Sequence, residues 1–125
     1  MDKQIKVLIA DDEENMQELL RISLEKLGCN VDSVVSDGYE ALKQLNIIQP
    51  DIAFLDIDMP IKSGIDVLEE ISASSIKVYP VIVSGHSTPV NVKAALGLGA
   101  KGFVVKPYTE SKLQQIINKY IKETS

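Results

Sequence analysis

The chain has 125 residues, of which 45% are apolar, and its 18 acidic and 13 basic residues give a net charge of -5. This length predicts a single globular domain, and the acidic balance argues against direct binding to nucleic acid. Its single cysteine and single histidine exclude an internal disulfide and a zinc site built from several thiolates or imidazoles.

The first half of the chain predicts two strands and two helices. Ile5–Ala10 is apolar nearly throughout, which is typical of a strand covered on both faces of a parallel sheet. Over Glu14–Leu27, apolar residues recur every three or four positions, which predicts an amphipathic helix with a glycine stop. The alternating pattern of Asn30–Val35 favours an edge strand. Asp37 then begins the next helix through a capping box with Glu40.

The second half predicts three more strands and three more helices. The strands are the apolar runs Ile52–Leu55, Val78–Val83 and Gly102–Val105. The helices are marked by apolar residues at helical spacing in Ile65–Ile71, Val90–Leu96 and Leu113–Ile121, and we expect these stripes to pack into the core. No apolar run approaches the ~20 residues that span a bilayer, and the first residues are not those of a signal peptide. We therefore expect a cytoplasmic protein with no membrane contact.

Five strands that alternate with five helices predict repeated right-handed βαβ units over residues 1–125. The expected fold is α/β, a doubly wound sheet of parallel strands, for which the order 2-1-3-4-5 is one of the two common choices. Ligands of such sheets bind beyond the carboxyl ends of the strands. The residues that follow each strand are therefore the candidates for function.

Charged and hydroxyl side chains follow four of the five predicted strands. They are Asp11 and Asp12 after the first strand, Asp56 and Asp58 after the third, Ser84 after the fourth and Lys106 after the fifth. Two like charges 4 Å apart repel by roughly 4 kcal/mol at an effective dielectric of 20, so clustered carboxylates need a counter-charge. A hard divalent cation supplies one, and Mg²⁺ takes one or two carboxylates together with water and phosphate oxygens.

Each of these residues also has a plainer interpretation. Asp11 and Asp12 could be N-caps of the first helix, and Asp56 could lie in an ordinary turn. Ser84 could begin a loop, and Lys106 could be a solvated residue at a strand end. The occurrence of such residues at four strand ends of one sheet favours a shared site.

The segments that carry these residues resemble the receiver domain of a two-component response regulator. The matching motifs are Val7–Asp12, Phe54–Pro60 with Gly64, Val81–Gly85 and Gly102–Pro107. The resemblance covers essentially the whole chain, so it implies one receiver domain over residues 1–125 with the flavodoxin-like fold and the strand order 2-1-3-4-5. In size the chain is most similar to the single-domain members of chemotaxis type.

The resemblance implies a role for each residue at the strand ends. Asp56 would be the phosphoacceptor. The metal ligands would be Asp11, Asp12, Asp56 and the backbone carbonyl of Asp58, and the ion would be Mg²⁺, with Mn²⁺ as an alternative. Ser84 and Lys106 would each bind an oxygen of the transferred phosphoryl group.

Further positions are implied by the same resemblance. Phe103 stands at the aromatic switch position and moves together with Ser84; many relatives have tyrosine there, so switching through phenylalanine relies on packing alone. Asp58 and His86 stand at two positions that tune the lifetime of the phosphoryl group, although His86 could equally be an exposed loop histidine. The peptide bond between Lys106 and Pro107 is often cis in this family.

A family member of this kind would be a phosphorylation-activated switch with self-catalysed phosphorylation and dephosphorylation, rather than a turnover enzyme. The phosphoryl donor would be a sensor histidine kinase or a phosphotransfer protein. The output partner would bind the fourth helix, the fifth strand and the last helix. Relatives often pair through the fourth-helix to last-helix surface, which leaves a homodimer open.

Two other functions remain as alternatives. One is a degenerate receiver that binds a partner without phosphorylation, although this chain keeps every group that the chemistry requires. The other is a phosphatase of the haloacid-dehalogenase type, which also forms an aspartyl phosphate and for which Asp56 and Asp58 resemble the paired aspartates. In those phosphatases the pair usually lies near the N-terminus of a longer chain.

Overall fold

The computed structural model describes residues 4–85 and 88–125 as five strands alternating with five helices. The strands are β1 (Lys6–Ala10), β2 (Asn30–Val35), β3 (Ile52–Asp56), β4 (Tyr79–Ser84) and β5 (Gly102–Val105). The helices are α1 (Glu14–Lys26), α2 (Gly38–Ile48), α3 (Gly64–Ser72), α4 (Pro89–Gly97) and α5 (Glu110–Thr124). Every predicted element is present. Within the described ranges, no helix combines the length and apolar character needed to cross a bilayer.

The five strands form one parallel sheet in the order β2-β1-β3-β4-β5, as predicted. β2 lies at the edge of the sheet, and all residues of β3 and β4 are buried, as expected for strands with a helix layer on each face. Ala10 is paired with Leu55, and Ser84 with Val105. The carboxyl ends of four strands therefore meet at one edge of the sheet.

Helices on both faces of the sheet create two apolar cores. On one face, Leu24 of α1 and Leu113 of α5 lie in the same cluster as Phe54. On the other face, Leu45 of α2 and Leu68 of α3 belong to a second cluster. All five side chains are less than 2% exposed, and burial of a side chain of this size contributes roughly 1.5–3 kcal/mol. The sheet is therefore a rigid support for the residues at the carboxyl ends of its strands.

Four helices begin with a side-chain cap. Asp37, Ser63, Thr88 and Thr109 each accept a hydrogen bond from a backbone N–H three residues further on. Such bonds satisfy N–H groups that have no partner inside the helix. The prediction that Asp37 starts α2 is therefore confirmed, but as an N-cap rather than as the full capping box with Glu40, since only the bond from the Glu40 N–H is seen among the described residues.

The apolar stripe predicted for α4 does not pack into the core. Val90 is 76% exposed and Leu96 is 52% exposed, whereas Ala95 is buried. The physical reason is that the apolar residues of α4 lie all round the helix, so that a small alanine makes the contact with the sheet. Leu19 of α1 and Ile121 of α5, which belong to the apolar patterns predicted for these two helices, are about half exposed.

Candidate functional site

Two buried aspartates lie side by side because β1 and β3 are neighbours in the sheet. Asp11 directly follows β1 and Asp56 is the last residue of β3, and they are 3% and 4% exposed. Asp12 is exposed beside them. One carboxylate oxygen from each of the three residues lies within 4.8 Å of the other two. Hard divalent cations favour such clustered oxygen ligands, so this part of the structure could hold a metal ion.

Neither Asp11 nor Asp12 is the N-cap of α1. The N-cap residue is Glu13, whose side chain makes no capping bond within the described chain. Its backbone N–H instead donates to Oδ1 of Asp11, 2.9 Å away. The plainer interpretation of these two aspartates as helix caps is therefore wrong, and their carboxylates belong to the acidic cluster.

Lys106 provides a positive charge at the same edge of the sheet. Its backbone N–H donates to the carbonyl oxygen of Ser84 at 2.8 Å, which fixes the chain at the end of β5. Its Nζ lies 2.8 Å from Oδ2 of Asp11 and 3.5 Å from Oδ2 of Asp56, and its side chain is only 13% exposed. Lys106 is therefore not a solvated strand-end residue but the counter-charge of the buried acids.

The surroundings of Asp56 change its acidity. Burial raises the pKa of its carboxyl to about 6; Lys106 opposes this rise, the charge on Asp11 adds to it, and the backbone N–H of Asp58 opposes it. Burial lowers the pKa of Lys106, but its hydrogen bond to Asp11 and the other nearby acids outweigh this effect and leave that pKa raised. Asp56 is therefore mainly ionised at neutral pH beside an ammonium group, which suits a carboxylate nucleophile.

Asp56 opens into a cleft of about 250 Å³, whose lining residues are Asp12, Glu13, Asp56, Asp58, Gly85 and Lys106. Asp58 is exposed on the loop after β3, and its backbone N–H lies 3.4 Å from Oδ1 of Asp56. Ser84 is fully buried at the end of β4, directly before Gly85 in the cleft wall. The structure thus brings the predicted residues of four strand ends to one place.

Phe103, the Lys106–Pro107 peptide bond and His86 are the remaining positions that the resemblance singled out. Phe103 is half-buried on β5 and packs against the core cluster under α2, α3 and α4. The peptide bond between Lys106 and Pro107 is cis. His86 lies outside the described residues.

Two residues that were not singled out from the sequence also adjoin the site. The side-chain amide of Gln17 donates to the carbonyl oxygen of Asp11. The hydroxyl of Tyr108 is buried without a hydrogen-bond partner in the part of the chain that is described. Burial and the charge of Asp11 raise the pKa of this hydroxyl to about 12. Gln17 lies one helical turn after Glu13, which is a weak indication from the sequence that it adjoins the site. No feature of the neighbouring sequence indicates that Tyr108 does so.

Comparisons with known proteins show which family the chain belongs to. A family profile described as the response regulator receiver domain matches residues 7–118. Chemotaxis protein CheY of Thermotoga maritima is 33% identical over 117 residues, which cover 94% of this chain and 98% of that protein. Protein CcdB of Bacillus subtilis is 31% identical over 114 residues, which cover 91% of this chain and 95% of that protein.

Solved structures show the same fold. The signal receiver domain of the response regulator NarL from Mycobacterium tuberculosis superposes with a TM-score of 0.91 at 27% identity, covering 97% of this chain and 98% of that one. A chain of the CheX–CheY–BeF3–Mg²⁺ complex from Borrelia burgdorferi superposes with a TM-score of 0.87 at 32% identity, covering 94% and 89% of the two chains. The protein therefore belongs to the family of receiver domains of two-component response regulators, which are signalling switches.

Proposed function

We propose that this domain is a phosphorylation-activated switch whose phosphoacceptor is Asp56. The observation that carries the proposal is the cluster of three carboxylates within 4.8 Å, with the ammonium of Lys106 3.5 Å from Asp56. In the transfer step, a carboxylate oxygen of Asp56 forms a bond to phosphorus while the bond from phosphorus to the donor's imidazole nitrogen breaks. The imidazole keeps the electron pair of that bond and takes a proton from water.

The proposed metal ligands are Asp11, Asp12, Asp56 and the backbone carbonyl of Asp58. The donor set consists of oxygen atoms only, which suits Mg²⁺ and also Mn²⁺, and does not suit zinc. When bound, such an ion supplies positive charge for the phosphoryl oxygens during transfer. The buried positions of Asp11 and Asp56 restrict their motion and so help to preorganise the site.

The phosphorylated state would be held by contacts that the unmodified domain cannot make. Lys106 would exchange part of its contact with the carboxylates for a phosphoryl oxygen, and the Ser84 hydroxyl would bind another. Phe103 would repack as Ser84 moves, and Asp58 and His86 would tune the lifetime of the phosphoryl group. Bonds formed only in the presence of phosphate can shift a two-state equilibrium. Water would later hydrolyse the aspartyl phosphate, so the domain completes a signalling cycle rather than the turnover of a substrate.

We infer that the phosphoryl donor is a histidine kinase or phosphotransfer protein. The output partner, or a second copy in a homodimer, would bind the surface formed by α4, β5 and α5. This surface carries exposed apolar side chains from each element, namely Val90, Leu96, Val105 and Ile121. The net charge of -5 supports a protein partner rather than direct contact with nucleic acid.

Incubation with Mg²⁺ and acetyl phosphate, followed by the mass of the intact protein, tests the proposal. We expect a single phosphoryl adduct that a chelator abolishes and that Asp56→Asn does not form. Asp32→Asn is the matched control, because Asp32 is an exposed aspartate on the edge strand β2 and is not a member of the cluster. It should form the adduct as the wild type does.

Absence of an adduct with both acetyl phosphate and a phosphohistidine donor would contradict the proposal and favour a phosphorylation-independent binding module. An adduct that persists in Asp56→Asn would place the acceptor elsewhere. Sustained hydrolysis of a phosphate ester over many turnovers would instead indicate a phosphatase.

A further inference from the structure

The loop between β3 and α3 contains a strained residue close to the site. Ile61 has a φ of +70°, and the backbone N–H of Lys62 donates to the carbonyl oxygen of Pro60 at 2.8 Å. A hydrogen bond from residue i+2 to residue i, around a central residue with φ near +75°, defines a γ-turn of the rare type, whose backbone is strained. A residue branched at Cβ is an outlier in this region of conformational space.

Packing of the side chain does not explain the presence of isoleucine at this position. The side chain of Ile61 is 75% exposed, so little apolar surface is buried in return for the strained backbone. Glycine adopts positive φ without steric cost, and asparagine adopts it more readily than most other residues. Isoleucine is therefore an unfavourable residue for this turn, in a segment that leads directly from the proposed phosphoacceptor.

The turn persists because its neighbours fix the loop on both sides. A Cβ atom on Gly64 would overlap the backbone carbonyl of Asp56, and one on Gly38 would overlap the carbonyl of Lys62. The loop and α2 are thus packed backbone to backbone. Lys62 Nζ also forms an ion pair with Oε2 of Glu70 at 2.6 Å. Strained backbone conformations survive where the surrounding structure determines them in this way.

We propose that Ile61 is a positioning residue that sets how often the loop adopts the closed form that binds a divalent cation. The inference rests on the proposed function, in which the carbonyl of Asp58 in this loop is a metal ligand. In an open form the turn releases, Ile61 relaxes to negative φ and the Asp58 carbonyl leaves the site. The strain therefore lowers the fraction of molecules ready to bind the ion, and bound metal draws the loop closed.

Three variants test this inference. Ile61→Asn relieves the strain, Ile61→Val retains the branched Cβ, and Ile47→Asn removes an isoleucine that is 67% exposed on α2. In the metal-free protein, we expect Ile61→Asn to raise the denaturation midpoint and to slow hydrogen exchange of the Lys62 amide. We also expect its apparent Kd for Mg²⁺ to fall measurably but by no more than about twofold, because the closed turn is already the predominant form in the structure. Ile61→Val and Ile47→Asn should bind Mg²⁺ as the wild type does.

Two results would overturn the proposal. If Ile61→Asn is more stable but binds Mg²⁺ with wild-type affinity, the strain is merely structural. If Ile61→Asn is no more stable than Ile61→Val, the turn is not strained. Failure of the proposed function looks different, because the wild type itself would then show no response to Mg²⁺ while the stability difference remained. That result would remove the positioning role together with the metal site.

Discussion

The hydroxyl of Tyr108 is a buried polar group that has no hydrogen-bond partner in the described chain. A buried donor without a partner loses its contacts with water and gains none in return. We therefore expect Tyr108→Phe to raise the free energy of unfolding by about 1 kcal/mol. Urea denaturation of the variant and the wild type measures this difference.

Tyr79→Phe is the matched control, because it removes a hydroxyl that does have a partner. The Tyr79 hydroxyl donates to Oε1 of Glu123 at 2.9 Å. Its removal should lower the free energy of unfolding by about 1 kcal/mol, while the edge-to-face contact of the ring with Tyr120 is retained. A loss of stability in both variants would show that the Tyr108 hydroxyl makes a stabilising bond in solution.

Residues were predictable from the sequence where the fold alone determines their position. Asp11, Asp56 and Lys106 lie at or directly after the carboxyl ends of strands in one parallel sheet, so their convergence depends only on the order of the strands. Tyr108 and Ile61 have no such signal. The burial of the Tyr108 hydroxyl depends on how the chain turns after β5, and the strain at Ile61 depends on contacts made by other segments.

At the scale of the element, the start of α3 is a capping box. Oγ of Ser63 accepts from the Asp66 N–H at 3.1 Å, and Oδ2 of Asp66 accepts from the Ser63 N–H at 3.0 Å. We expect Ser63→Ala to lower the free energy of unfolding by about 1 kcal/mol, because it leaves a helix N–H without its partner. Ser72→Ala in the last turn of α3 is the control. The free energy of unfolding of Ser72→Ala should stay level or rise slightly, since alanine favours helix. An equal loss of stability in both variants would contradict the role of the cap.

The predicted elements were most accurate where apolar residues follow one clear period. α5 has a single apolar stripe, of which Leu113, Ile116 and Ile117 are buried. α4 has no such stripe, and periodicity could not show that Ala95 rather than its larger neighbours faces the sheet. Which side of a helix meets the core is decided by its fit against the sheet, and a short, apolar helix leaves that choice open.

At the scale of the whole molecule, the alternation of buried strands and helices was sufficient to predict a doubly wound sheet. The reason is that short connections between parallel strands are right-handed and place helices on both faces. The sequence pattern left two common strand orders open, and the resemblance to receiver domains favoured the observed one. Pairing between strands that are distant in the chain has no local signal, so the pattern alone could not choose.

The stability of the metal-free protein should depend on pH through Asp56. Burial raises the pKa of this carboxyl from 3.8 to about 6, despite the opposing charge of Lys106. The folded protein therefore binds this proton more tightly than the unfolded chain does. The resulting stabilisation is fully present below about pH 4 and is lost as the pH rises through about 6. We expect the free energy of unfolding of the wild type, relative to Asp56→Asn, to fall by roughly 2–3 kcal/mol between pH 4 and pH 7.

The comparison with Asp56→Asn is necessary because other carboxylates titrate in the same range, and those remote from Asp56 contribute equally to both proteins. Added Mg²⁺ should restore much of the lost stability of the wild type at pH 7, since an ion that binds only the folded state stabilises it by mass action. It should have a smaller effect on Asp56→Asn, which lacks one ligand charge. If the wild type instead gained stability relative to Asp56→Asn on going from pH 4 to pH 7, attraction between Asp56 and Lys106 would outweigh burial. The Lys106 ammonium would then be a sufficient counter-charge for the acidic cluster in the absence of a metal ion.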